Sequence, residues 1–89
     1  MIEVAYSTSF KRAFRRTIGD DIQRKKRYLS KLSLFRNNPF DKQLRTHKLS
    51  GRLASLWSFT VEHDLRIIFF FENESKAIFV NIGTHDDVY

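Results

Sequence analysis

At 89 residues, with 16 Lys and Arg against 10 Asp and Glu, the chain is short and basic, with a net charge of +6. A hydrophobic fraction of 42% is enough for one core, so we expect a single domain over residues 1–89. There is no Cys, which excludes disulfides and thiolate chemistry, and the longest apolar run, Ile67–Phe71, is too short to span a membrane. No N-terminal apolar run resembles a signal peptide, and we predict a soluble, cytoplasmic protein.

The positive charge is concentrated in the first half of the chain. Residues 1–48 carry 13 Lys and Arg against 4 Asp and Glu, whereas residues 49–89 carry 3 against 6. Such a basic half is typical of proteins that bind a polyanion or an acidic protein, although a well-solvated helical surface has the same composition. Because the basic half precedes a candidate site, we favour a functional role for it.

The first half of the chain predicts one strand and two helices. Met1–Ala5 is short, apolar and alternating, which is typical of a strand. Two amphipathic helices follow and are joined at Gly19; a residue of Tyr6–Ser9 caps the first, and Asp20 or Asp21 caps the second. The buried stripes expected at helical spacing are Phe10, Ala13, Phe14 and Thr17 or Ile18 in the first helix, and Ile22, Leu29, Leu32 and Phe35 in the second.

The second half predicts three strands after a polar, basic connector, Phe40–Gly51. Arg52–Val61 has Trp57, Phe59 and Val61 at one parity, with Ser58 and Thr60 facing away from them. Leu65–Phe71 and Ala77–Ile82 predict a hairpin around a polar turn. The order therefore predicts an α+β fold: an N-terminal strand, a two-helix hairpin, then a mostly antiparallel sheet of about four strands with both helices packed on one face.

The hairpin predicts a candidate site at one end of the sheet. Antiparallel pairing brings the start of one strand beside the end of its partner, so Asp64 and Arg66 should converge with His85 and Tyr89. Alternation puts Asp64 and Arg66 on the face opposite the apolar side chains of their strand. An Arg among apolar neighbours needs a carboxylate or a phosphate partner. Asp64 has two explanations: it orients an imidazole and favours the protonated ring, or it is a turn residue that pairs with Arg66.

Three histidines, His47, His63 and His85, titrate near neutral pH, and two of them can share the donation and acceptance of a proton. Each one alone is also explained as an ordinary surface residue. Their spacing is not that of a zinc site, and no G-x-S-x-G motif is present, so we expect no metal, no cofactor and no Ser-His-Asp hydrolase. Candidate phosphate-binding and RNA-binding residues near His47 are Arg45, Lys48 and Arg52.

Four segments together resemble the RelE/ParE superfamily of bacterial toxin–antitoxin toxins, with the greatest likeness to its YafQ-like branch of ribosome-dependent mRNA interferases. These are the helical hairpin, NPFDKQLRTHKLSG, LWSFTVEHDLRIIFFF and NIGTHDDVY, in that order. The resemblance covers nearly the whole chain. It implies a RelE-like fold and a toxin that inhibits translation by metal-free endonucleolytic cleavage of mRNA.

The resemblance also implies roles for individual residues. His47 in THKLSG and His85 in GTHDDVY match catalytic histidines of that branch, and Asp64 in HDLRI matches its active-site aspartate. Arg66 matches the arginine that contacts the scissile phosphate in RelE-type toxins. Tyr89 matches a terminal aromatic residue that is important for activity.

The chain departs from the YafQ pattern at Thr60, Leu65 and Asn81, where that type has His, Trp and Arg. These departures bear on cleavage rate and codon preference more than on the fold. The partners implied are a cognate antitoxin, the ribosome through rRNA contacts of the basic face, and mRNA, with no membrane. Two alternatives stay open: a ParE-like DNA gyrase inhibitor without nuclease activity, and a catalytically inactive nucleic-acid-binding or antitoxin-binding module.

Overall fold

The computed structural model describes all 89 residues as a five-stranded sheet with three helices. The first half contains β1 (Glu3–Tyr6), α1 (Thr8–Thr17), α2 (Ile22–Asn37) and the two-residue strand β2 (His47–Lys48). The second half contains β3 (Trp57–Glu62), β4 (Leu65–Asn73), β5 (Lys76–Gly83) and one turn of helix, α3 (His85–Val88). Two 3₁₀ turns, Lys42–Leu44 and Gly51–Leu53, flank β2. No helix is both long and apolar enough to cross a bilayer.

The sheet has the strand order β1-β5-β4-β3-β2. β1 runs parallel to β5, and the other neighbours are antiparallel. The predicted α+β fold is confirmed, with one more strand than the sequence indicates. β2 is only two residues long and lies in a polar connector, so it has no apolar alternation from which a strand is predicted.

The core lies between the helices and one face of the sheet, and Phe35 of α2 is at its centre. The Phe35 ring is fully buried, with its centroid 4.8 Å from that of Phe59, 5.0 Å from Phe69 and 5.3 Å from Phe79. Leu65, Ile67 and Phe69 of β4 are all buried on this side, as their alternation predicts. Arg66, which lies between two of them, therefore points to the other face.

The predicted stripe of α1 is confirmed, since Phe10, Ala13 and Ile18 are buried and Phe14 packs against the core. The predicted stripe of α2 is wrong at two positions. Ile22 is 68% exposed and Leu29 is 53% exposed, whereas Tyr28 is buried. Tyr28 and Phe35 are seven residues apart and share a helix face, whereas Leu29 is rotated about 100° from Tyr28. Because Tyr28 carries a polar hydroxyl on an apolar ring, the apolar pattern of the sequence did not identify it as a core residue.

Both helices begin at side-chain caps. The Ser7 hydroxyl accepts a hydrogen bond from the Phe10 amide, and the Asp21 carboxylate accepts one from the Arg24 amide, both at 3.0 Å. Gly19, between the helices, has a φ of 49°, the left-handed conformation that favours glycine. The sequence-predicted caps and the turn are thereby confirmed.

The strand predicted from Arg52 begins only at Trp57, because Gly51–Leu53 forms a 3₁₀ turn. Ser58 does face away from the Phe core, but it is buried. The reason is that Leu53 and the residues after it fold back onto this face of the sheet, so the second face is only partly open to solvent.

Candidate functional site

The strand register places the predicted site residues on the sheet face opposite the core. Residues directly opposite one another in a sheet share a face, and steps of two along a strand keep that face. One row across β2, β3, β4 and β5 consists of His47, Ser58, Ile68 and Asn81. The next row across β3, β4 and β5 consists of Thr60, Arg66 and Gly83. His47 and Arg66 therefore share one surface of the sheet, two strands and one row apart.

Arg66 is the half-buried cation of this face. Its Nη1 atom is buried and has no hydrogen-bond acceptor. The Oδ1 atom of Asp64 lies 3.9 Å from Nη1, which is close enough for an ion pair and too far for a hydrogen bond. A buried donor without a partner costs roughly 1–3 kcal/mol, and a charged one costs more. The Arg66 side chain as a whole is 26% exposed, and a planar guanidinium is the group best suited to pair with carboxylate or phosphate oxygens.

Asp64 is located in the tight turn between β3 and β4, not on β4 itself. The turn is anchored from the other side of the sheet, because Glu62 binds Arg27 at 3.2 Å and Arg24 at 3.7 Å, both on α2. His63 is the other residue of the turn and is exposed. No contact joins His63 to the site.

α3 folds over the same sheet face. Thr84 and Asp87 form a reciprocal cap, in which the Asp87 amide donates to the Thr84 hydroxyl at 3.4 Å and the Thr84 amide donates to the Asp87 carboxylate at 3.1 Å. Gly83 permits the fold-back, because a Cβ at this position would lie 2.7 Å from the Cβ of Asp87. This fold-back of the chain places His85, at the start of α3, next to the row of residues that contains Arg66.

Tyr89 joins the separate parts of the site. Its ring packs edge-on against His85, with the centroids 4.6 Å apart, and the Cζ of Arg66 lies 5.8 Å from its centroid. Tyr89 also lines an open groove of about 350 Å³ whose other wall contains His47. The remaining residues of this groove, the candidate catalytic groove, are Lys48, Leu49, Ser50 and Leu53.

The ring of His47 has a defined tautomer. Its Nδ1 lies 3.0 Å from the carbonyl oxygen of Arg45. A carbonyl oxygen only accepts, so Nδ1 is the nitrogen that carries a proton, and Nε2 of the neutral ring keeps its lone pair. Arg45 has a φ of 53°, a left-handed conformation that is costly for a residue with a side chain and is often found at functional sites.

The structure brings the five candidate catalytic residues together at one end of the sheet. Among the candidate RNA-binding residues, Lys48 lines the candidate catalytic groove, while Arg45 and Arg52 are exposed beside it. Two departures from the YafQ pattern, Thr60 and Asn81, lie on the site face. The third, Leu65, is buried in the core on the opposite face and does not line the site.

Three supporting residues were not singled out from the sequence. The spacing of Thr84 and Asp87 is that of a capping box, which is a signal that could have located α3. Ser58 gave no signal. Its hydroxyl is buried and has no hydrogen-bond partner. Ser58 lies next to His47 only because β2 pairs with β3, which the sequence did not predict.

Comparison with known proteins gives both a family and a fold. Residues 2–89 match the family model described as the bacterial toxin of a type II toxin–antitoxin system, YafQ. The chain is similar in structure to YafQ from E. coli strain BL21(DE3), at 20% identity and a TM-score of 0.71, covering 100% of this chain and 99% of that one. It is also similar to the YoeB/ParE toxin from Agrobacterium tumefaciens, at 14% identity and a TM-score of 0.76, covering 94% and 99%.

A third similar structure is the E. coli DinJ-YafQ complex, at 21% identity and a TM-score of 0.69, covering 100% of this chain and 99% of that one. Comparison with curated protein sequences gives no match. At these low identities the solved structures show the shared RelE-like fold, and the family match over residues 2–89 shows the membership.

Proposed function

The chain belongs to the YafQ family of toxins of bacterial type II toxin–antitoxin systems, and from this premise we propose that it is a ribosome-dependent mRNA endonuclease. The main support is the position of Tyr89. Its ring contacts both His85 and Arg66 and lines the groove that contains His47. The groove of His47 and Tyr89 is open to a substrate, and His85 and Arg66 both contact the ring of Tyr89.

In the proposed reaction, the 2′-hydroxyl of a nucleotide attacks the adjacent phosphorus and the bond to the 5′-oxygen of the next nucleotide breaks. The products are a 2′,3′-cyclic phosphate and a free 5′-hydroxyl. The 2′-hydroxyl must lose a proton to a base, and the departing 5′-oxygen must gain one from an acid. The phosphorane between these steps carries extra negative charge, which a guanidinium stabilises.

We assign the base to His47, because its Nδ1–H is held by the Arg45 carbonyl and its Nε2 lone pair is free in the neutral ring. We assign the acid to His85, the second imidazole of the site, whose ring contacts Tyr89. Arg66 takes the phosphate oxygens. Asp64 pairs with Arg66 and fixes the orientation of its guanidinium, and the Tyr89 ring supports His85 and a nucleobase.

Expression of the chain in bacteria, with mapping of mRNA 5′ ends, tests the reaction. Codon-phased cuts that disappear in a His85→Ala variant support the proposal. Inhibited DNA gyrase with intact mRNA indicates the ParE-like alternative, and a chain with neither effect is an inactive binding module. Either of these last two outcomes contradicts the proposal.

A modified substrate tests the assignment of acid and base. With sulfur in place of the scissile 5′-oxygen, the leaving group is a thiolate that departs without a proton. We expect this substrate to restore cleavage by His85→Ala ribosome complexes and to leave His47→Ala impaired. The reverse pattern exchanges the two roles.

The positive charge of α2 supports a ribosome contact. Lys26, Arg27 and Lys31 line one open face of this helix, away from the candidate catalytic groove. Binding to rRNA phosphates releases counterions, so the association constant should fall steeply as the salt concentration rises. An affinity for ribosomes that barely changes between low and high salt contradicts this part of the proposal.

A cleft on the other side of α1 supports an antitoxin contact, as in the DinJ-YafQ complex. Its volume is about 420 Å³, and its lining includes the aromatic rings of Tyr6, Phe10, Phe14 and Tyr28. Lys11 and Arg15 provide positive charge at the rim, with Asp20 the one acidic residue in the lining. We propose that this cleft binds an acidic amphipathic segment of the cognate antitoxin, and substitution of Lys11 and Arg15 should weaken the complex.

A further inference from the structure

A second groove lies on the site face, between α1 and the middle of the sheet. Its volume is about 390 Å³. Its apolar residues are Ala13, Leu53, Leu56, Ile68, Val80 and Val88. Its polar residues are Ser9, Arg12, Arg16 and Asn81. An apolar floor with a cationic rim suits a ligand that has both a flat uncharged part and a negative group.

The polar groups of this groove are available to a ligand. Arg12 and Arg16 are one helical turn apart on α1, both are exposed, and neither forms an ion pair. The groove lining contains no carboxylate. Asn81 uses its Oδ1 to accept a hydrogen bond from the Ile82 amide at 2.9 Å, which leaves its side-chain NH₂ group as a donor.

The groove is continuous with the proposed catalytic site. Leu53 lines both this groove and the candidate catalytic groove of His47 and Tyr89. Ile68 and Asn81 belong to the same cross-strand row as His47, one row away from Arg66. A strand of RNA whose scissile phosphate is bound at Arg66 can therefore extend across Leu53 to the arginines of α1.

We propose that this groove is a nucleotide subsite for the mRNA residue that flanks the scissile phosphate. The base lies on the Ile68 and Leu56 side, the Asn81 NH₂ group donates to an acceptor on the base edge, and Arg12 with Arg16 binds the phosphate. The inference rests on the proposed function for the identity of its ligand. It makes α1 a determinant of the sequence context of cleavage.

The test is a titration of the isolated protein with each of the four nucleoside 5′-monophosphates, followed by the methyl resonances of Leu56, Ile68, Val80 and Val88. We expect saturable shifts of these methyl groups with at least one nucleotide and smaller shifts with inorganic phosphate. The Arg12→Ala/Arg16→Ala variant should bind that nucleotide about tenfold more weakly, since two charge-assisted contacts are lost. The matched control is Lys11→Ala/Arg15→Ala, which removes the same charge from a face of the same helix rotated by about 100° and should bind the nucleotide like the parent.

Three outcomes overturn the proposal: no methyl shifts with any nucleotide, the same shifts with phosphate alone, or equal weakening in both double variants. All of them are independent of nuclease activity. A parent protein that cuts no mRNA on ribosomes therefore contradicts the proposed function and leaves the groove test intact. Where cutting is observed, Arg12→Ala/Arg16→Ala should raise KM with little change in kcat and should alter the base preference next to the cut.

Discussion

The guanidinium carbon of Arg66 lies 5.8 Å from the centre of the Tyr89 ring, so the middle of the sheet and the residue after α3 are in direct contact. The pair has one charged member with an unpartnered donor and one aromatic member that also touches His85. Any anion that binds Arg66 therefore also changes the surroundings of Tyr89 and of the helix turn to which it is attached.

Replacement of Arg66 by Met should separate stability from function. The variant lacks the guanidinium that we propose binds the phosphate. We expect the cleavage rate to fall by a factor of about 1000 or more, as for other groups that bind charge in a transition state. It also removes the buried Nη1 donor that has no partner, so Tm should be unchanged or higher. Kinetics on programmed ribosomes and thermal unfolding measure the two effects.

Arg66→Lys is the matched control for charge. It keeps a cation without the planar fork, so it should recover only part of the lost activity. If Arg66→Met unfolds at a much lower temperature, the guanidinium stabilises the fold, and our reading of the unpartnered donor is wrong.

Tyr89 should act through its ring. Its contacts are an edge-on packing with His85 and a cation–π contact with Arg66, and both are made by the ring rather than by the hydroxyl. Tyr89→Phe keeps both ring contacts and should retain activity within about threefold, whereas Tyr89→Ala should lose about 100-fold, or about 2.7 kcal/mol of transition-state stabilisation. A large loss in the Phe variant would instead assign a proton-carrying role to the hydroxyl.

Gly83→Ala should displace α3 while leaving the sheet intact. The added methyl group would lie 2.7 Å from the Cβ of Asp87, so the helix turn must move away and take His85 with it. We expect at least a tenfold loss of activity, with amide exchange in β4 and β5 unchanged. Asp87→Ala is the control, since it removes a cap without adding volume at the sheet. Full activity in Gly83→Ala contradicts the proposed position of α3.

Stability should fall at alkaline pH because of Tyr28. Burial, together with a hydrogen bond to the Tyr6 hydroxyl, raises the pKa of the Tyr28 phenol above its ordinary value of about 10. The unfolded chain releases this proton near pH 10 while the folded chain keeps it, so the free energy of unfolding declines as the pH rises past 10.

Urea unfolding at a series of pH values from 8 to 11 measures this decline. Tyr28→Phe should reduce the slope of the free energy of unfolding against pH by the contribution of one proton. Equal slopes for the parent and Tyr28→Phe would show that other groups cause the alkaline loss.

The sequence predicted the elements that carry strong local signals. The alternation of β4 and the motif around His85 predicted a core face and a site face, and the register confirms that separation. The stripe of α2 was less predictable, since Tyr28 has a polar hydroxyl and its burial depends on the packing of Phe14 and Phe35. Propensity and pattern are overridden by tertiary packing in such cases.

The arrangement of the site was only partly predictable, because it depends on contacts between distant segments. The approach of His47 requires the two-residue strand β2, which no local pattern indicates. Tyr89 reaches Arg66 only because Gly83 and the capping box of α3 turn the chain back over the sheet. Of these two features, only the capping box can be recognised from the sequence. The groove at Arg12 and Arg16 requires the packing of α1 beside β5, two elements with hydrogen-bonded residues that are 71 positions apart in the chain.

The parallel pairing of β1 with β5 also has a consequence for how the protein is made. Glu3 is the partner of Lys76, so the edge of the sheet closes across about 70 intervening residues, a long-range contact that forms late. Until β5 has been synthesised, β1 has no strand to pair with, and Arg66 lacks its neighbour Gly83 on the site face.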